Sequence, residues 1–174
     1  GTDTEVLLAA FAQWGERMLP RLIGMFAFVI WNRRQGKVFF ARDPAGIKPL
    51  YYTFWRGGLA FASEIKALMT LPDISHAVDR ERLFYFLRFG ITDHDDGTLF
   101  SPVKQLLPGC SGRLKVSQPG ELEISRYFSL EEPRISQFRN EDEAAEQVRE
   151  NFLRSVELHL RSDVPVGVAL SGGI

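Results

Sequence analysis

Ser171-Gly172-Gly173 is the segment whose residue types best suit chemistry. It follows a short apolar run, Val166-Gly167-Val168-Ala169-Leu170, that reads as a buried strand. A strand opening into Ser-Gly-Gly suits an anion such as phosphate. Glycines let the backbone approach closely, and successive N–H groups can converge on one concavity. On its own the tripeptide also reads as a tight turn. Elsewhere Arg42, Asp43 and Lys48 place three charges in one short stretch, which reads as an internal ion pair shaping the loop before Pro49. Glu64 and Lys66 read as structural, and Met25, Phe26 and Phe28 as core. Cys110, the only cysteine, lies in a turn between Gly109 and Ser111 and reads as a bystander thiol. His76, His94 and His159 show no metal-ligand spacing.

The elements that must carry these residues are legible from periodicity. Thr2 and Glu5 have capping-box spacing, and Val6, Leu7, Ala10, Phe11 and Trp14 form a helical stripe that Gly15 stops. Met25 to Trp31 is apolar on both faces and predicts a strand covered on both sides. Lys37–Ala41 is the returning strand. Leu50–Trp55 and Leu59–Ala62 predict a hairpin around Gly57-Gly58, and Ser63 a cap for a helix through Leu68. Asp79 caps a helix carrying Leu83, Phe84 and Leu87, and Gly90–Gly97 is an Asp-rich loop. Ser111–Val116 and Glu121–Phe128 predict two strands joined at Pro119-Gly120. A long helix then starts at Asn140–Glu143, with Val148, Phe152, Val156 and Leu160 on one face.

The strand-rich first part and the helix-then-strand pattern after it predict two domains, residues 1–130 and 141–174, joined by a linker over 131–140. A net charge of −1 argues against a general nucleic-acid surface. No apolar run approaches the ~20 residues of a membrane span. A lone cysteine excludes an internal disulfide framework and suits a reducing, cytoplasmic setting.

Several blocks in one order resemble the glutamine-hydrolysing asparagine synthetases, of the class II glutamine amidotransferase family. They are Gly1-Thr2-Asp3-Thr4-Glu5-Val6-Leu7-Leu8, Leu22 to Phe28, Ala41 to Tyr52, Phe61 to Leu68, Leu107-Pro108-Gly109 and Arg126-Tyr127. Arg161 to Ile174 is similar to the entry of that family's pyrophosphate loop, Ser-Gly-Gly-x-Asp-Ser-Ser. The turn that is often Pro-Pro-Gly-His in the family reads Leu107-Pro108-Gly109-Cys110 here.

The resemblance implies an α+β glutaminase of the N-terminal-nucleophile type, with layered antiparallel sheets. The start of an α/β adenine-nucleotide α-hydrolase-like domain would follow it. It implies that glutamine supplies ammonia to a β-aspartyl-AMP made from aspartate and ATP. The products are asparagine, AMP, pyrophosphate and glutamate. Asp3 matches the aspartate that holds the α-ammonium of glutamine. Leu170, Ser171, Gly172 and Gly173 match the ATP-binding positions. Mg2+ is implied with ATP, but its ligands and the terminal catalytic cysteine match no position here. The chain therefore reads as a fragment truncated at both ends and inactive by itself. A homodimer of the parent stays open. So do two other readings: a related amidotransferase adenylating another carboxylate, and a non-catalytic binding protein of the glutaminase fold.

Overall fold

A computed structural model describes residues 2–130 and 138–167. It divides into two compact units, Gly1–Ser129 and Leu130–Ile174. In the first unit helix α1 (Asp3–Trp14) runs into a 3-10 segment over Gly15–Arg21. Strands β1 (Ala27–Asn32) and β2 (Lys37–Arg42) follow, then the hairpin β3 (Tyr51–Trp55) and β4 (Gly58–Ala62). Short helix α2 (Ile65–Met69), helix α3 (Arg80–Phe89), and strands β5 (Lys104–Gln105), β6 (Cys110–Lys115) and β7 (Gln118–Arg126) complete it.

The strands form two antiparallel sheets, one in the order β1-β2-β6-β7 and the other β4-β3-β5. Strand alternation on β2 divides the core. Phe39 and Ala41 pack with Ala10, Met18 and Leu19 of the helical layer. Phe40 packs the other way, with Leu50, Leu106 and Leu114. Phe11 stacks on Phe39 at 5.4 Å, and Phe40 meets Phe61 edge-on at 4.9 Å. Gly112 sits opposite Phe40 on β6, and a Cβ there would overlap the Phe40 ring. The layers are thus helix, sheet, sheet, an α+β arrangement compatible with a glutamine amidotransferase domain.

Four local expectations change. β1 is covered on one face only: Val29 and Trp31 are exposed, because β1 is the edge of its sheet and the facing sheet has only three strands among the described residues. The β3–β4 turn is centred on Arg56-Gly57, both at positive φ, and Gly58 already pairs with Trp55. Helix α2 has Glu64, not Ser63, at its N-cap. The β6–β7 turn falls at Val116-Ser117, since Lys115 pairs with Gln118 and Pro119-Gly120 lie within β7.

The second unit holds helix α4 (Glu141–His159). Asn140 caps it, its side-chain oxygen accepting the Glu143 N–H at 2.8 Å. Glu141, Asp142 and Glu143 fill the first turn, where the helix dipole favours negative charge. Val148, Phe152, Val156 and Leu160 are exposed. The expected strand from residue 168 onward lies outside the described residues, as do Leu170, Ser171, Gly172 and Gly173.

Candidate functional site

Asp3 is the first residue of α1 and is exposed. The capping box around it is formed: Thr2 N–H donates to Glu5 Oε2 at 3.1 Å, and Glu5 N–H to Thr2 Oγ1 at 3.4 Å. This fixes the backbone at the helix mouth and leaves the Asp3 carboxylate facing solvent. An α-ammonium group approaching from that side would meet a charge-assisted acceptor.

The most organised polar centre lies at the end of β2. Arg42 is 9% exposed and Asp43 1%. A buried charge is costly unless hydrogen bonds replace its water. Arg42 makes four such bonds. Nε donates to the Lys48 carbonyl at 2.9 Å and Nη2 to the Gly46 carbonyl at 2.8 Å. Nη1 donates to the Leu106 carbonyl at 2.7 Å and to Gln105 Oε1 at 3.2 Å. The Asp43 carboxylate accepts the N–H groups of Ile47 at 3.0 Å and Lys48 at 2.9 Å. The expected internal ion pair does not form: among the described residues no salt bridge joins Arg42 or Lys48 to Asp43. Both charges instead clamp the backbone of one loop. The Asp43 carbonyl also accepts the N–H groups of Gly46 and Gly109, both at 3.0 Å.

The centre extends in two directions that the sequence did not reveal. Tyr127 donates its hydroxyl to the Arg42 carbonyl at 2.7 Å. Burial, then the Asp43 charge, pushes its phenol well above the usual range. On the other side, Gln105 Nε2 donates to Asp93 Oδ1 at 3.1 Å and to the Asp95 carbonyl at 2.9 Å. Asp95 pairs with Arg82 and accepts the Gly97 N–H at 2.7 Å. The Arg82 hydrogen bond, then that of Gly97, holds its carboxyl below the usual carboxylate range. The only hint of Gln105 in sequence is a polar residue just before the apolar pair Leu106-Leu107.

Cys110 is buried, and burial raises its thiol pKa, against a smaller opposing effect of Arg126. A raised thiol pKa suppresses the thiolate that a nucleophile needs. A groove of about 790 Å³ lies between α1 and the first sheet, lined by Leu8, Phe11, Phe39, Arg113, Lys115 and Glu123. It includes neither Asp3 nor Arg42, so the largest cleft and the expected ligand contact are separate. Among the described residues no group of three His, Cys, Asp or Glu could hold a metal ion.

The family model of the glutamine amidotransferase domain matches residues 1–128, the whole two-sheet unit up to Phe128. The chain belongs to this family. A second match, to the asparagine synthase family, covers residues 147–174. This amidotransferase chain is 40% identical over 174 residues to asparagine synthetase [glutamine-hydrolyzing] 1 of Bacillus subtilis, covering 99% of this chain and 26% of that protein. It is 37% identical over 179 residues to a putative asparagine synthetase [glutamine-hydrolyzing] of Mycobacterium tuberculosis, covering 99% of this chain and 27% of the relative. It is also 36% identical over 176 residues to amidase chry2 of Gibberella zeae, covering 99% and 25%. The amidotransferase chain therefore spans about a quarter of the length of the curated relatives it matches.

Proposed function

We propose that this chain is part of a glutamine-dependent asparagine synthetase, with a glutaminase domain over 1–130, a linker over 131–140 and the start of the ATP-dependent domain over 141–174. The observation that carries the reading is the pair of family matches in one order, amidotransferase first and asparagine synthase second. In this reading glutamine is hydrolysed by the first domain and its ammonia is delivered to an activated aspartate in the second. ATP supplies a leaving group to a carboxylate that is otherwise a poor acyl donor.

The residues of this chain have positioning tasks. Asp3 holds the α-ammonium of glutamine at the mouth of α1. The Arg42–Asp43 clamp fixes the loop between β2 and β3 that supports that domain's core. Leu170, Ser171, Gly172 and Gly173 bind ATP, the glycine N–H groups facing its phosphates. The second domain is α/β and of the adenine-nucleotide α-hydrolase type, and the protein works in the cytoplasm. Mg2+ accompanies ATP, but the described residues offer no donor set for it, so no step is assigned to the ion.

The identity to amidase chry2 favours a second reading, an amidotransferase acting on another carboxylate. ATP–pyrophosphate exchange by the full-length protein, run with aspartate and with a panel of other carboxylates, separates the two. Exchange driven by aspartate supports the first. Exchange driven only by another acid supports the second, and none with any acid overturns both. Asp3→Asn should raise the KM for glutamine at least tenfold and leave synthesis from free ammonia unchanged.

A further inference from the structure

Helix α3 is amphipathic the wrong way round for a free surface. Its Arg82 is largely buried and pairs with Asp95, with Asp79 at 3.9 Å. Leu83, Phe84 and Leu87 occupy about a third of the helix circumference and face outward. Phe84 is 58% and Leu87 74% exposed. Phe86 and Phe89, and Ile91 just beyond, widen the exposed apolar area. The helix is well formed at both ends. The Asp79 side chain accepts the Glu81 and Arg82 N–H groups, and Gly90 closes it in the left-handed conformation. It is tied to the unit by the Val78–Phe100 bridge and the Asp79 N–H to Leu99 carbonyl bond at 3.0 Å. Among the described residues it makes no substantial packing contact with another helix or strand. A capped helix, anchored by its cation and offering its apolar stripe, marks a surface that another surface covers.

The relatives' extra length points to the occupant. The chain covers about a quarter of them, and the asparagine synthase match takes in only residues 147–174. Polypeptide preceding residue 1 has a receptor elsewhere, at the free edge of β1 with Val29 and Trp31. That edge is on the other sheet from β5, which carries the loop from α3. A second copy is disfavoured by charge: antiparallel pairing of two α3 helices brings exposed Arg80 of one beside exposed Arg88 of the other.

We infer that α3 is the docking helix for the synthetase portion that follows residue 174 in the full-length protein. That portion would present an apolar surface with carboxylates opposite Arg80 and Arg88. The inference rests on the reading of the chain as part of a two-domain synthetase.

The test places a single thiol on the stripe, Leu87→Cys in a Cys110→Ser background, and follows maleimide labelling at position 87 by peptide mass spectrometry. Three proteins are compared: the 174-residue chain, the full-length protein, and the full-length protein stopped after residue 174. We expect fast labelling in the first and third and at least tenfold slower labelling in the full-length protein. Equal rates in all three overturn the proposal. Slow labelling in the stopped protein assigns α3 to the preceding polypeptide, and concentration-dependent protection in the 174-residue chain assigns it to a second copy; either result overturns it too. Aspartate-driven ATP–pyrophosphate exchange is measured on the same full-length sample. Exchange with fast labelling overturns the docking alone. Protection without exchange overturns the synthetase reading and leaves the docking standing.

Discussion

The hydroxyl of Tyr127 donates to the main-chain carbonyl of Arg42 at 2.7 Å, joining residues 85 positions apart. The bond ties the chain just after β7 to the last residue of β2, beside the buried Asp43. It is reinforced by the N–H groups of Tyr127 and Phe128, which donate to the Gly109 carbonyl at 2.9 and 3.2 Å.

Removing that hydroxyl should destabilise the first unit and change its response to alkali. Tyr127→Phe leaves a buried carbonyl without this donor, which costs about 1–3 kcal/mol. The folded state holds the phenol neutral and raises its pKa. Its contribution is therefore complete below the ordinary phenol value of about 10 and is lost as pH rises above it. Urea unfolding from about pH 8 to about pH 11 should show the wild-type advantage shrinking above about pH 10. A constant difference between the two proteins across that range would contradict the assignment.

The Arg42 clamp predicts a larger effect. Arg42→Met strands the carbonyls of Gly46, Lys48 and Leu106 and the Gln105 side-chain oxygen. Loss of a buried charged partner of this kind costs on the order of 3–5 kcal/mol. Arg42→Lys keeps the charge but not the planar fork, and should fall between the two. Thermal and urea unfolding read the difference, and a loss below about 1 kcal/mol for Arg42→Met would show that the loop does not depend on the clamp.

Gly112 and Phe40 should behave as a coupled pair. Gly112→Ala puts a methyl group into the Phe40 ring, an overpacking cost of about 1–3 kcal/mol. Phe40→Leu creates a cavity of its own, yet the double variant should be less destabilised than the sum of the singles. Additive losses would place the strain elsewhere.

Cys110 should react as a structural thiol. Its burial and raised pKa predict slow modification by a thiol reagent in the native protein and rapid modification in urea. Cys110→Ser in the full-length protein should leave glutamine hydrolysis within about twofold of wild type, a small change on the free-energy scale of catalysis. A loss of a hundredfold or more would make Cys110 part of the chemistry after all.

What the sequence revealed follows the range of the forces involved. The Thr2–Glu5 capping box and the Asp79 and Asn140 caps are contacts within one turn, and each formed as read. The β6–β7 turn did not: Pro119-Gly120 is a strong turn signal, but an irregularity between Arg113 and Lys115 shifts the register. Arg42 and Asp43 are adjacent, so mutual pairing was the natural reading. Two of the Arg42 acceptors come instead from residues 63 and 64 positions away. The apolar run into β1 signals burial on both faces, but only the sheets' relative width decides whether both are covered. Asp3 is placed at the helix mouth that its sequence context implied. Ser171, Gly172 and Gly173 lie outside the described residues, so the phosphate loop is known from its residue types alone.

The free edge of β1 has one more consequence, for the material rather than the reaction. Ala27-Phe28-Val29-Ile30-Trp31-Asn32 contains no charged residue and no proline, the usual guards of an open strand. Any extended peptide that reaches it can continue the ladder at about 4.8 Å spacing. A net charge of −1 supplies little long-range repulsion between molecules. We therefore expect the storage life of this chain to be set by concentration, with light scattering rising and thioflavin-type fluorescence following, and expect Val29→Lys to prolong it.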